Sequence, residues 1–393
     1  MAAPRIPVVM YHGIGPLLPG WLWGTLITPV DLFVAQIALL ERHGYAAIDL
    51  DEYAERAGTG SDGRRPEVVL TFDDGYLDNW VYAYPILERA GWRGTIYVNP
   101  EFIDPGEEPR PTLKDVWSGR CSERDLPAHG FLNRTELRLL QESGVMTIAS
   151  HSLSHTWYPT GPAIEDYHRP GLVTPWLAWN ARPERKYAYL DEDQSGFVPW
   201  GTPIHRHGRA LAIRRWLPDP AIAEAAVAAV ATGGGESFFA RPDWRPTLDA
   251  ATAPLAGRGR LETDDELEQR YRHEIFESRR VLEEIVGAPV RHFCWPGGAY
   301  NDTAWRLAEE AGYRTVCVGS RDPGRRSTAV VPVPRTSCGA IISLGRDRYR
   351  TADPAFLHMF CELERGNRRV RWPLRLRKAM LAVRHGFRPV KRV

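Results

Sequence analysis

Two adjacent carboxylates close an apolar run and are followed at once by glycine: Val68-Val69-Leu70-Thr71-Phe72-Asp73-Asp74-Gly75. Side chains alternate faces along a strand, so neighbouring aspartates diverge unless the strand ends there. At a strand end followed by Gly, both can lean into one cleft, one binding a metal and the other staying free as a base. An isolated Asp-Asp-Gly is usually only a strand-to-helix turn in which Asp caps the next helix. A second signal separates the two readings. Met146–Ser150 reads as another buried strand, and it delivers His151-Ser152-Leu153-Ser154-His155. Imidazoles at i and i+4 fit a metal chelate, since one helical turn brings such side chains together. Two imidazoles and one carboxylate leave positions open for water and substrate, as in catalytic rather than structural sites.

The elements that must position these groups alternate in type. Short apolar runs at Val8–Tyr11, Ala46–Ile48, Val68–Phe72, Thr95–Val98, Thr147–Ala149, Phe293–Trp295 and Thr315–Val318 read as strands. Helical patterns lie between them. Thr28-Pro29 supplies an N-cap and a first-turn proline, and Gly44, Gly91, Gly144 and Gly312 close helices. Thr263-Asp264-Asp265-Glu266 is a capping box, followed by Leu267, Tyr271, Ile275, Ser278, Leu282 and Ile285 on one face until Gly287. Strand-then-helix repetition implies a parallel sheet, and seven strands suggest a closed or nearly closed α/β barrel. His12, Asp73, Asp74, His151 and Pro296 all fall at or just after strand ends, where such barrels place function.

The chain resembles the polysaccharide deacetylase family (carbohydrate esterase family 4). The likeness rests on Thr71–Gly75, on His151–His155 and on Phe293-Cys294-Trp295-Pro296-Gly297-Gly298-Ala299-Tyr300-Asn301. The opening Pro7-Val8-Val9-Met10-Tyr11-His12 looks like the poly-N-acetylglucosamine deacetylase branch. The resemblance covers roughly residues 5–155 and 262–340 and implies a distorted (β/α)7-type barrel. It also implies that Asp73 is the general base, that Asp74, His151 and His155 bind a divalent metal (Zn2+, with Co2+ or Ni2+ as alternatives), and that His12 is the acid. The competing, lesser reading has His12 cap the Gly13-Ile14-Gly15 turn. In the main family an arginine near the position of Cys294 pairs with the catalytic aspartate. Arg335 is the candidate replacement here, with a plain surface arginine as the competing reading. Gly297 N–H is a candidate oxyanion donor, because Pro296 fixes the turn and Gly permits close approach. Trp295 and Tyr300 are candidate walls of a substrate site.

Residues 156–261 break the rhythm, holding twelve of the 32 prolines and six of the 14 tryptophans. Leaving directly after the second His, this stretch is expected to form a lid. Trp157, Trp176, Trp179 and Trp200 are candidates for stacking on sugar rings, although most such tryptophans simply pack an insertion together. His205 and His207 are expected at the surface. Residues 104–132, rich in Pro, Gly and charge, are expected to form a rim. The expected organisation is a barrel over 5–155 and 262–345, the lid, and a basic helical tail over 346–393.

Composition bounds the setting. Hydrophobic content of 43% and charged content of 25% are those of a globular protein. No apolar run is long enough to span a bilayer. The opening Met1-Ala2-Ala3-Pro4 lacks a signal-peptide core, and five cysteines without paired spacing suggest reduced thiols, so a cytoplasmic setting is expected. The net charge of +1 hides an asymmetry, because residues 365–393 hold eleven Lys or Arg and no Asp or Glu. Trp372, Leu374, Leu376, Met380, Leu381, Val383 and Phe387 are interspersed with Arg375, Arg377, Lys378 and Arg384. Such a helix can lie on an anionic membrane at its inner face, or dock on the barrel. Nothing accompanies the charge that reads as a nucleic-acid-binding fold. The expectation is a metal-dependent hydrolase removing an N-acetyl group from a sugar, within surface polysaccharide biosynthesis. Two alternatives remain: hydrolysis of a small non-sugar amide, and a carbohydrate-binding protein without catalysis.

Overall fold

The computed structural model describes residues 5–17, 23–56, 65–127, 129–320, 322, 324–325, 329–337 and 339–390. The expectations on Met1–Pro4, on Cys338 and on the last three residues lie outside them. Seven parallel strands close into a ring: β1 (Val8–Tyr11), β2 (Glu67–Phe72), β3 (Gly94–Val98), β4 (Met146–Ser150), β5 (His292–Cys294), β6 (Thr315–Gly319) and β7 (Val331–Ser337). Closure comes from β1, which pairs with β2 over Val8–Tyr11 and with β7 at Val9↔Thr336 and Met10↔Ser337.

The number of strands matches the sequence reading, but one member differs. The run at Ala46 forms only Ala46–Ala47 and pairs with Glu67–Val68, below the stretch of β2 that β1 occupies. The seventh ring strand is β7, whose Pro332 and Pro334 argue against a strand. The register explains the tolerance. Both prolines pair with β6, at Val316 and Val318, whereas β1 joins only from Thr336 onward. Their missing N–H groups therefore leave no gap in a two-sided ladder.

Period-2 alternation sorts the ring residues into two cores. Val8, Val69, Tyr97, Ala149, Cys294, Cys317 and Val333, one from each strand, fill the barrel with Ile6, Ile48 and Leu50. Tyr97 is the bulky plug, and its hydroxyl takes a hydrogen bond from Cys317 at 3.0 Å. The alternate positions, such as Val9, Leu70, Ile96, Ile148, Phe293 and Val316, face the helices in the larger core. Burying each such aliphatic or aromatic side chain contributes about 1.5–3 kcal/mol.

Local signals set the helix ends. Pro29 itself is the N-cap of Val30–Arg42, and Thr28 ends a short strand instead of capping. Thr263 and Glu266 form the capping box before Asp264–Arg272, the helix continues through a π turn at His273–Glu277, and Gly287 ends it in the left-handed region. The insertion contains an antiparallel ribbon, Trp157–Tyr167 against Pro203–Arg209, and helices at Pro175–Ala181, Pro220–Thr232 and Trp244–Thr252. Tyr167, Ala226, Val230, Phe238 and Leu248 give it a small core of its own. His205 is buried in that ribbon, its Nδ1 3.1 Å from the Pro162 carbonyl, contrary to the expected surface position. Toward the C-terminus, a hairpin (Ile341–Leu344 with Asp347–Arg350) straddles residue 345. Phe356, Leu357 and Cys361 of the helix Ala355–Glu364 then join the main core. The chain after 345 is thus continuous with the barrel rather than a separate tail.

Candidate active site

The carboxyl end of the ring opens into a cavity of about 480 Å³. His12, Asp73, Asp74, His151 and His155 all line it. Strand β2 ends at Phe72, and Asp74 takes a left-handed backbone with φ 73°. That reversal sends the two carboxylates to different partners. Left-handed geometry costs a non-glycine residue about 1–2 kcal/mol, a cost that clusters at functional sites. Ser152 (φ 63°) and His155 (φ 45°) share it.

Asp74 faces both imidazoles. Its Oδ1 lies 3.4 Å from His151 Nε2 and 3.5 Å from His155 Nε2, and the three donor atoms fall within 4.8 Å of one another. The histidines meet through an irregular loop after β4, not through the helical turn that their spacing suggests. Asn99 holds that loop by donating to the carbonyls of His151 and Ser152. Glu274 accepts from Ser154 N at 3.0 Å, and Lys186 donates to Ser154 O at 2.8 Å while pairing with Glu101.

These residues fit a divalent ion. Asp74 Oδ1 is a buried acceptor without a hydrogen-bond partner. His151 Nδ1 lies 2.9 Å from the Cys294 carbonyl, which fixes it as the donor and leaves Nε2 with a free lone pair toward Asp74. Burial pushes His155 down to about 4, so its imidazole is neutral and able to ligate. Burial would raise Asp74, but the imidazoles beside it hold its carboxyl well below the usual carboxylate range. One oxygen and two nitrogens are the donors of zinc-type sites.

Asp73 turns the other way. Arg335 grips it with two parallel bonds, Nη1 to Oδ1 at 2.6 Å and Nη2 to Oδ2 at 2.8 Å. Arg335 also lies 2.8 Å from Cys294 Sγ and donates to Thr71 Oγ1 at 3.2 Å. Burial raises the Asp73 pKa, and the Arg335 charge more than reverses this, so the carboxylate stays ionised. Burial likewise keeps the Cys294 thiol protonated. His12 Nε2 stands 4.0 Å from Asp73 Oδ2, and Asn79 Nδ2 ties the His12 carbonyl in place at 2.9 Å.

The remaining candidates divide. Gly297 lines the cavity with φ 57°, and a Cβ there would run into the Arg209 guanidinium. Trp295 reaches the cavity edge but is fully buried among Phe293, Tyr300 and Trp305. Tyr300 lies behind it with its hydroxyl on Asp322 at 2.7 Å, outside the cavity lining. Trp157, Trp176 and Trp179 line the cavity, whereas Trp200 stacks on His168 at 4.6 Å elsewhere in the insertion. Phe131, from the expected rim, also lines it. His358 stacks on His43 and His385 bonds the Arg350 carbonyl, so neither joins the site. Sequence reasoning missed Asn99, Lys186, Glu274 and Arg209, whose roles depend on contacts with no local signature.

A family model described as polysaccharide deacetylase matches residues 60–195 and 260–316. The provisionally assigned polysaccharide deacetylase YxkH of Bacillus subtilis (strain 168) is 31% identical over 94 residues, 24% of this chain. That stretch spans about a third (32%) of the relative's length. Among solved structures, a de-N-acetylase from Aggregatibacter actinomycetemcomitans aligns over 85% of this chain and 95% of its own, at 15% identity and a TM-score of 0.50. IcaB from Ammonifex degensii aligns over 93% and 98%, at 13% identity and a TM-score of 0.46.

Proposed function

Because the chain carries a polysaccharide deacetylase domain, we propose that it is a metal-dependent hydrolase that removes the N-acetyl group from an N-acetylated sugar. One observation carries the reading: two adjacent aspartates share a cavity but have different partners, Asp74 two imidazoles and Asp73 a guanidinium.

Asp74, His151 and His155 would hold the ion. A bound zinc-type ion polarises a carbonyl and lowers the pKa of water from about 15.7 toward about 7. Asp73, kept ionised by Arg335, accepts the proton of the attacking water as general base. A carboxylate has about four lone-pair sites, so the Arg335 fork leaves room for that proton. His12, whose Nε2 stands 4.0 Å from Asp73 Oδ2, delivers a proton to the departing amine. Gly297 N–H is the proposed donor to the carbonyl oxygen, in a left-handed turn where a Cβ would meet the Arg209 guanidinium. The insertion acts as a lid whose Trp157, Trp176 and Trp179 present flat apolar faces to the sugar.

The partner proposed for the C-terminal helix is an anionic membrane surface. Helix Arg371–Arg384 docks through Leu374, Leu381 and Ala382, yet leaves Trp372 (77%), Leu376 (63%), Met380 and Val383 exposed, with exposed Phe387 just past its end. The spacing of the four helical residues, four, four and three, makes one stripe. The cations around it, with no acid from 365 onward, oppose a second copy of the same face and suit anionic lipid. No helix among the described residues is long and apolar enough to cross a membrane. The hairpin Ile341–Arg350 touches both places: Ser343 O accepts from Lys378 at 2.9 Å, and Arg348 lines the cavity. A lipid-linked or nucleotide-linked precursor of a surface polysaccharide, met at the cytoplasmic face, fits this arrangement.

The test is acetate release from a panel of N-acetylated sugars, oligosaccharides and glycolipids, with and without chelator. Release that stops with chelator and returns with a divalent ion supports the reading. Release from small non-sugar amides alone overturns it.

A further inference from the structure

We propose that Arg209 binds an anionic group of the substrate, a phosphate or a carboxylate carried on or beside the N-acetylated sugar. This rests on the sugar de-N-acetylase reading and narrows it to charged glycans.

Arg209 ends the ribbon strand Pro203–Arg209 and pairs through its backbone with Trp157, two residues after His155. Its side chain lines the cavity that holds the two aspartates and two histidines, and it lies over Gly297. The guanidinium sits 5.8 Å from the Trp157 ring centroid. Among the described residues no carboxylate lies within ion-pair distance of it and its buried Nε has no hydrogen-bond partner. Burial alone acts on its pKa, downward, with no acid beside it to raise it.

Arginines that leave water are ordinarily paired, because an unpaired buried charge is costly. Three arginines of this chain follow the rule, Arg110 with Glu136, Arg270 with Glu262 and Arg335 with Asp73. Half-buried Arg350, by contrast, has only the Gly24 carbonyl among the described residues and lies outside the cavity. The cavity's own acids are committed, Asp73 to Arg335 and Asp74 to the imidazoles. Nothing in the site is left to neutralise Arg209. The guanidinium fork matches two oxygens of a phosphate or carboxylate. Arg348 lines the same cavity from the hairpin strand Asp347–Arg350 and has no ion pair among the described residues, so the local field favours an anion further. The glycine at 297 is part of the device, since any side chain there would displace the guanidinium.

The experiment measures binding by calorimetry and acetate release for three probes: N-acetylglucosamine 1-phosphate, the methyl glycoside of N-acetylglucosamine, and the methyl glycoside of its 6-carboxylate. Wild type, Arg209→Lys and Arg209→Gln are compared. The proposal expects wild type to bind one of the charged probes at least tenfold more tightly than the neutral one. It expects Arg209→Gln to collapse that ratio toward one, with Arg209→Lys between the two. The better of the two charged probes identifies the anion as phosphate or carboxylate. No charged-over-neutral ratio in wild type, or the same ratio in Arg209→Gln, overturns the proposal. An equal loss for all probes leaves the ratio unchanged and so overturns it too. A charge-dependent binding ratio without acetate release from any probe contradicts only the de-N-acetylase reading.

Discussion

Arg335 and Asp73 meet through two parallel hydrogen bonds, of 2.6 and 2.8 Å, although Arg335 stands on β7 and Asp73 just after β2, strands that do not pair with each other. Strand β1 lies between those strands in the ring, so the ion pair bridges two strands that β1 separates. Removing one partner of a buried pair leaves an uncompensated charge and costs about 3–5 kcal/mol. Arg335→Ala should therefore lower the unfolding midpoint as well as turnover. Arg335→Lys keeps the charge but not the fork, and should retain the fold while losing roughly tenfold or more in kcat. Thermal unfolding beside steady-state kinetics separates the two effects.

Asp73→Asn removes the proton acceptor and preserves shape. Turnover should fall by about 10²–10⁴, the usual contribution of a positioned acid or base. Near-wild-type kcat in this variant would remove Asp73 from the base role.

His12→Ala should cost a similar factor in kcat, with less effect on KM. The distance of 4.0 Å to Asp73 Oδ2 places the imidazole beside the reacting groups without tying it down. An unaltered rate sends the acid role to another residue.

Asp78 offers a stability test away from the chemistry. It is buried against Gly13 and Gly15, its Oδ1 has no partner, and burial pushes its carboxyl up to about 7. Between the ordinary value of 3.8 and about 7 the folded chain holds a proton that the unfolded chain has lost. This group's stabilisation is therefore full below about pH 4 and disappears as pH rises through about 7. The unfolding midpoint of wild type should fall from pH 5 to pH 8 more steeply than that of Asp78→Asn. Equal slopes contradict the assignment.

For the membrane surface, substituting the exposed stripe is cleaner than truncation, because Leu374, Leu381 and Ala382 belong to the core. Serine at Trp372, Leu376, Val383 and Phe387 together should weaken binding to phosphatidylglycerol vesicles at least tenfold, since each buried CH2 contributes about 0.8 kcal/mol. Cosedimentation measures it. Intact chain that ignores anionic vesicles ends the membrane proposal.

Much of the barrel was legible because β1 to β6 announce themselves as short apolar runs followed by capped helices. Strand β7 was hidden by Pro332 and Pro334, whose tolerance depends on where β1 starts to pair, a fact of register rather than composition. The acid pair and the two histidines could be selected from residue type and spacing at strand ends. The backbone that unites the histidines could not, because left-handed φ at Ser152 and His155 has no glycine to signal it. Trp200 and Trp157 look alike in sequence, yet one stacks on His168 and the other lines the cavity. Arg209 was invisible for the same reason. Its position follows from the pairing of Trp157 with Arg209 across the insertion.

The most direct measurement of the central idea is metal content per chain, by mass spectrometry after exhaustive dialysis, for wild type, Asp74→Ala and Asp73→Asn. The account predicts one divalent ion in wild type, none in Asp74→Ala and one in inactive Asp73→Asn. An ion retained by Asp74→Ala, or lost from Asp73→Asn with the fold intact, contradicts the division of labour between these two neighbours.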